Sequence, residues 1–230
     1  LQGEQVLDLE DVANHRGSAF GAMGLPQQPS NEAYENILAM AVRRAHPGKP
    51  LWLEHEGPHV GRCLMPAGLL QWLKTSPGGA LLVINMDIKV RAQRLEQDYC
   101  NPDQLKQDGW IAGLRECLES SAGGLKKRIG GARLKEATDA LEAGQWSKVA
   151  ELMLIYYDKL YTKWQEASES SVIVPVPCPT ANAEKNTGLI LKAFTQVQAS
   201  KTKGTNPAPV PACAAAEAST SIADSDGPVY

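Results

Sequence analysis

Apolar and polar positions change period several times along this chain, and the changes predict strands and helices in turn. Gln5-Val6-Leu7-Asp8-Leu9-Glu10 alternates residue by residue, the pattern of a half-buried strand. Ser30 then stands as a cap before a helical stripe of Tyr34, Ile37, Leu38, Ala41 and Val42. Glu32 and Glu35 suit the positive end of that helix and Arg43 and Arg44 its negative end, before the stop His46-Pro47-Gly48. Leu51-Trp52-Leu53 is short and wholly apolar, which predicts a buried central strand delivering Glu54-His55-Glu56 at its end. Pro66 fits the first turn of a helix carrying Leu69, Leu70 and Leu73, closed by Pro77-Gly78-Gly79. Ala80 to Ile84 reads as the clearest buried strand, and Asn85-Met86-Asp87 after it opens a helix with Arg91, Arg94 and Leu95. From Trp110 onward the pattern is helical. Ile111, Leu114, Leu118, Leu125 and Ile129 form a stripe that breaks around Ser120 to Gly124 and stops at Gly130-Gly131. Val149, Met153, Tyr156, Leu160 and Trp164 give a second stripe between about Trp146 and Trp164. Val172 to Val176 is predicted as an edge strand, because Pro175 has no N–H for a central ladder.

This order divides the chain into an α/β region over 1–109, a helical extension with an edge strand over 110–176, and a mostly irregular segment over 177–230. Beyond about Gln198 the composition is Ala, Pro, Ser and Thr, which buries too little apolar surface to offset the entropy of ordering and predicts a disordered tail. The 230 residues carry a net charge of −3, so any contact with nucleic acid has to come from a local basic patch. No apolar run is long enough to span a bilayer. The five cysteines are scattered without a C-x-x-C pair, which fits neither a disulfide framework nor a zinc site and points to a reducing compartment and no disulfide-linked partner.

Candidate chemistry concentrates in Asn14-His15-Arg16-Gly17-Ser18-Ala19-Phe20-Gly21, where glycines allow close backbone approach beside a guanidinium and a hydroxyl. That composition suits phosphate oxygens, which accept parallel bonds from an Arg fork; the alternative is that Asp8, Arg16 and Ser18 only tie a turn together. Glu54 and Glu56 have three open readings: metal or base work, an ion pair with Arg62, or loop solvation. His55 and His59 are separated by Gly57-Pro58, which disfavours a helix placing both on one face, so they read as surface loop residues. Arg91 and Arg94, three apart on a helix, suit phosphate, or pair with Glu96 or Asp98. Lys126, Lys127, Arg128, Arg133 and Lys135 form the dense basic cluster, either a solvated helix end or a nucleic-acid patch.

Val6-Leu7-Asp8-Leu9-Glu10 running into Ala13 to Gly21 resembles the central signature of the tRNA 2-selenouridine synthases. Tyr34-Glu35-Asn36, Leu51-Trp52-Leu53-Glu54 with Glu56, and Gly61 follow in the family's order. Arg91, Arg94, Leu95 and Tyr99, then Gly124 to Gly130, then Tyr156-Tyr157-Asp158 with Tyr161 extend the resemblance over about Gln5 to Val176. His55 stands where the family usually has Asp, and Gly57 where it has Ser, so neither position carries over an acidic or hydroxyl role.

The resemblance implies a P-loop NTPase-like parallel sheet that lacks its first strand and phosphate loop, with a helical carboxyl-terminal extension. Family members carry a rhodanese domain and a G-x-x-x-x-G-K-[ST] loop ahead of the Asp-Leu-Glu stretch. This sequence contains neither, which leads to the expectation of a carboxyl-terminal fragment or an incomplete gene model, inactive by itself. The implied activity is a transferase reaction on tRNA that replaces sulfur by selenium in wobble 2-thiouridine through a geranylated intermediate. Selenophosphate and geranyl diphosphate are the implied co-substrates. Asp8, Glu54 and Glu56 become the catalytic candidates, with Asp8 or Glu54 for magnesium or orientation and no resident metal set assigned. His15, Arg16, Gly17, Ser18, Arg91 and Arg94 become the phosphate-binding candidates, and Lys126, Lys127, Arg128 and Arg133 the tRNA-binding ones. The cytoplasm is the expected location, or an organelle if a targeting peptide precedes Leu1. Two rivals remain: a small-molecule P-loop kinase, and an inactive paralogue kept as a tRNA-binding module.

Overall fold

A computed structural model describes residues 3–75, 79–120, 129–166 and 172–202. The first parallel pair is β1 (Gln5–Val6) and β2 (Leu51–Trp52), in register Gln5 to Leu51 and Val6 to Trp52. Parallel strands need a crossover, and α1 (Leu9–Ala13) and α2 (Asn31–Arg44) supply it. The predicted strand does not run to Glu10. The Asp8 carboxylate accepts the Asp11 N–H at 2.8 Å and starts a helix, so Leu9 and Glu10 turn out of the sheet. Asn14, in the left-handed region at φ 50°, ends that helix within five residues.

Ser30 caps α2 as predicted, accepting the Ala33 N–H at 3.2 Å. The buried stripe is narrower than the pattern suggested. Tyr34 and Leu38 are fully buried, whereas Ile37 and Val42 are 47% and 40% exposed, because α2 packs on α1 and on β4 along one edge alone. The hairpin of β3 (His59–Val60) and β4 (Cys63–Leu64) lies beneath it, turning at Gly61, whose φ of +59° suits glycine. His59 is thus in a strand rather than a loop. Leu7, Leu9, Tyr34, Leu38, Val60 and Cys63 form the heart of this first core. Leu51 and Trp52 are only half-buried, so β2 is not the fully buried strand expected.

After α3 (Ala67–Thr75), β5 (Leu81–Asn85) pairs in parallel with β6 (Ile173–Pro177) over five residues. Pro175 sits opposite Val83, consistent with an edge. Among the described residues β6 is the sole strand paired with β5, and Ile84 is 52% exposed, so the expectation of a buried strand is corrected here as well. The closing turn predicted at Pro77-Gly78 falls outside the described residues. Asp87 caps α4 (Ile88–Tyr99) through the Lys89 N–H at 2.8 Å. A capping box of Asn101 and Gln104 then sets the short α5 (Pro102–Leu105).

The larger core is helical. It joins α6 (Trp110–Glu119), α7 (Gly131–Glu142) and α8 (Trp146–Glu166) around Trp110, Leu114, Leu118, Ala137, Leu141 and Met153. Ile111 from the predicted stripe is 40% exposed and Leu125 lies outside the described residues. Gly130, at φ +82°, is not a stop but the N-cap of α7, and Gly131 is its first residue.

The segment expected to be mostly irregular contains α9 (Ala183–Thr202). Asn182 starts it by accepting the Lys185 N–H at 2.8 Å, and its Ala, Lys, Leu and Gln residues are good helix formers. α9 packs on β5 and β6, burying Val197 to 5% exposure, and the Phe194 ring meets Trp52 of β2 edge-on at 4.9 Å. The helix thereby runs past Gln198, where the tail was expected to begin; residues 203–230 lie outside the description. The architecture is α/β, with small parallel sheets and many helices. Among the described residues no helix is long and apolar enough to cross a membrane.

Candidate functional site

The glycine-flanked loop folds back on itself. Its closure comes from the Arg16 N–H to the Gly21 carbonyl at 3.1 Å and the Gly21 N–H to the Ser18 carbonyl at 2.8 Å. Gly17 sits at φ +63°, and a Cβ there would come within 2.5 Å of Glu10 Oε1 and 3.2 Å of Glu56 Oε1. The position therefore requires glycine twice, for its backbone and for the carboxylates crowded against it. His15 is held within the loop itself. Its Nδ1 accepts the Gly17 N–H at 3.2 Å, its ring lies against Gly21 and Gly61, and burial, then the Arg16 charge, lowers its pKa.

Arg16 is not a free surface cation. Nη1 donates to the Met23 carbonyl at 2.8 Å, and the guanidinium stacks over Tyr99 at 5.2 Å from the ring centre. The Ser18 hydroxyl oxygen accepts the Phe20 N–H at 3.2 Å, and the Ala19 N–H donates to the Tyr157 hydroxyl at 3.1 Å, which anchors the loop to α8.

The three predicted catalytic carboxylates do converge, but two are occupied. Asp8 caps α1, and Glu54 accepts the Leu9 N–H at 2.9 Å. Glu56 and Glu10 face each other beneath Gly17. Burial, then the charges of Glu54 and Asp8, push Glu10 up to about 7 against the opposing pull of Arg16. Burial, then Glu10 and Glu54, push Glu56 up to about 8, and Glu54 is raised chiefly by burial as well. Tyr161 on α8 is pushed up to about 12 by burial and by the Glu56 and Glu10 charges. No salt bridge joins Glu54 or Glu56 to Arg62 among the described residues. Nor is any group of three or more His, Cys, Asp or Glu placed to hold a metal ion among the described residues.

The loop forms one lip of a cavity of about 340 Å³. Glu10, Arg16 and Ser18 line its polar side, and Leu95, Leu114, Leu141, Val149 and Met153 belong to its apolar body. Arg91 and Arg94 are not part of this wall. Arg91 makes a two-pronged bond to Asp158 of α8, and Arg94 pairs with Asp98 one turn along its own helix at 2.9 Å. Lys126, Lys127 and Arg128 lie outside the described residues; Arg133 is half-buried on α7, and Lys135 pairs with Asp139.

Sequence reading assigned no role to Glu10, Tyr99 or the cavity. Glu10 was assigned to a strand, and only the helix beginning at Leu9 turns it toward Arg16. The cavity joins residues from Glu10 to Tyr161, a union that no local pattern displays.

Residues 1–176 match the family model described as the tRNA 2-selenouridine synthase AAA domain. The chain is 32% identical over 194 residues to a protein of Marinobacter nauticus named tRNA 2-selenouridine synthase, covering 76% of this chain and 52% of that one. It is 30% identical over 207 residues to a protein of the same name from Verminephrobacter eiseniae, covering 80% and 55%. With the Psychromonas ingrahamii protein of that name the identity is 30% over 175 residues, covering 67% and 47%. The chain thus spans about half the length of the curated relatives it matches. No solved structure matches it.

Proposed function

The chain belongs to the tRNA 2-selenouridine synthase family, and we propose that it carries the site at which wobble 2-thiouridine of tRNA exchanges sulfur for selenium through a geranylated intermediate. The observation that carries this reading is the cavity: apolar walls for a hydrocarbon chain, with Arg16 and Ser18 of the signature loop on its polar lip. Geranyl diphosphate has that division of chemistry, and selenophosphate presents the same kind of anionic head. Arg16 offers a planar fork of donors to phosphate oxygens while one N–H holds Met23. In the first step the thiouridine sulfur bonds to the geranyl carbon, the carbon–oxygen bond breaks, and pyrophosphate leaves with the electron pair. In the second, selenium of selenophosphate bonds to C2 of the geranylated base, the carbon–sulfur bond breaks and geranylthiol leaves, and water then cleaves the selenium–phosphorus bond to release phosphate. Glu10 on the cavity lip, pushed up to about 7, is our candidate to exchange the proton that the uridine ring gives up and regains, with Glu56, pushed up to about 8, behind it.

tRNA is the proposed macromolecular partner. Because the net charge is −3, its phosphates would be met by Lys126, Lys127, Arg128 and Arg133. The kinase reading is not favoured, since Arg91 and Arg94 are engaged by carboxylates instead of being presented as a phosphate lid.

The test supplies 2-thiouridine tRNA, geranyl diphosphate and selenophosphate to the protein expressed from its complete reading frame, followed by mass spectrometry of the nucleosides. Geranylated and then selenated uridine is the expected product series. An unchanged thiouridine peak overturns the proposal.

A further inference from the structure

We infer that the deep end of the cavity gauges the length of the prenyl chain, with Leu114, Leu141 and Met153 setting the limit. The inference rests on the proposed function, which supplies the occupant, and addresses what that reading leaves open: how long the apolar chain can be. The residues that line the cavity differ in burial. Glu10, Arg16 and Ser18 are intermediate in exposure, whereas Leu114, Leu141 and Met153 are 4%, 2% and 5% exposed. These three come from α6, α7 and α8 and belong to the larger core, so the floor is held by packed helices rather than by a loop. A chain whose anionic head stays at Arg16 meets a wall that yields little.

Volume decides which chains fit. An apolar cavity of ~150 Å³ takes up benzene, which sets a scale of roughly 25 Å³ per carbon. On that scale a chain of ~10 carbons needs roughly 250 Å³ and one of ~15 carbons roughly 375 Å³. The available space is about 340 Å³. The shorter chain fits with room for part of its head; the longer one reaches the floor before its head reaches Arg16. A chain of ~5 carbons leaves most of the apolar wall without contacts and binds more weakly for that reason.

Two substitutions move the limit in opposite directions. Met153→Ala removes three heavy atoms from the floor, adding ~75 Å³ on the same scale and making room for ~15 carbons. Ala150→Phe places a ring in the wall from α8, removing ~150 Å³ so that ~10 carbons no longer fit while ~5 still do. Dissociation constants for dimethylallyl, geranyl and farnesyl diphosphate are measured by titration calorimetry on the full chain and on each variant. Comparing ligands within one protein cancels any loss of folded fraction.

The wild type is expected to bind geranyl diphosphate most tightly. Met153→Ala should shift the farnesyl-to-geranyl affinity ratio toward farnesyl by about tenfold or more, and Ala150→Phe the geranyl-to-dimethylallyl ratio toward dimethylallyl by a similar factor, since a hydrophobic pocket discriminates by roughly 10–200-fold per methylene. Ratios unchanged within about twofold in both variants overturn the gauge while leaving the proposed function standing. Failure of the wild type to bind any of the three overturns both.

Discussion

The guanidinium of Arg91 meets the carboxylate of Asp158 with both prongs, Nη1 to Oδ1 at 2.6 Å and Nη2 to Oδ2 at 2.8 Å, and so ties α4 to α8. Hydrogen bonding to Asp158, and then the Asp158 charge, hold the Arg91 pKa above its ordinary value, and Arg91 Nε also donates to the Met86 carbonyl at 3.1 Å. Both helices contribute to the cavity wall, so the pair sets their separation. A double-mutant cycle of Arg91→Ala and Asp158→Ala should return a coupling of about 0.5–2 kcal/mol, above that of an ordinary exposed pair because the geometry is two-pronged. Arg91→Lys should recover less than half of it. Zero coupling in urea titrations would show that the helices hold their spacing without it.

Arg16 should be costly for stability as well as for ligand binding. Its bond to the Met23 carbonyl and its stacking on Tyr99 are both lost in Arg16→Ala, which should lower stability by about 1–2 kcal/mol. Geranyl diphosphate affinity, corrected for folded fraction, should fall a further ten- to hundredfold. A lower melting temperature with unaltered affinity in the folded fraction would make Arg16 a structural tie alone.

Gly17→Ala should destabilise by about 1–2 kcal/mol or more, from the left-handed backbone and from the approach to Glu10 and Glu56. Adding Glu10→Ala to it should return the steric part and leave the backbone part. A Gly17→Ala protein that melts with the wild type would contradict the crowding beneath this loop.

Stability should fall as pH rises from about 5 to about 8.5. Glu10 and Glu56 are raised by folding from 4.5 to about 7 and about 8, so the folded state binds protons more tightly than the unfolded one. Their contribution is complete below about 4.5 and is lost as pH passes through about 7 and then 8. Asp8, Glu54, Arg16, Tyr34, Tyr99 and Tyr161 are the charged or titratable groups around them. Glu56→Gln should flatten the dependence and raise the melting temperature at the alkaline end. A melting temperature that climbs over this interval in the wild type would reverse the sign and refute the assignment.

If Lys126, Lys127, Arg128 and Arg133 position tRNA, neutralising three of them should weaken binding and flatten the slope of log K against log salt by roughly two to three units. Filter binding across a salt series reads this directly. An unaltered slope would return the cluster to a solvated helix end.

What could be read from the sequence alone was whatever short-range chemistry decides. Ser30 and Asp87 start their helices with their own side chains, Pro175 marks an edge, and the stripe from Val149 to Tyr156 packs inward, each within a few residues of its cause. The stretch from Asn14 to Gly21 was equally legible as a loop and as a family mark. Tertiary structure decided the rest, because the deciding partners are remote. Glu54, 45 residues further along, accepted the Leu9 N–H, and the fold that joins them made Glu10 part of a cavity wall instead of a strand residue. Asp158, distant in sequence, claimed Arg91 from its expected phosphate. The sheet formed by β5 and β6 gave a run of Ala, Leu, Lys and Gln a surface to pack on, so that α9 stands where composition alone foretold an irregular chain. A cap acts through one local bond, whereas burial and charge pairing depend on which distant segments meet, and that is settled only when the whole chain folds.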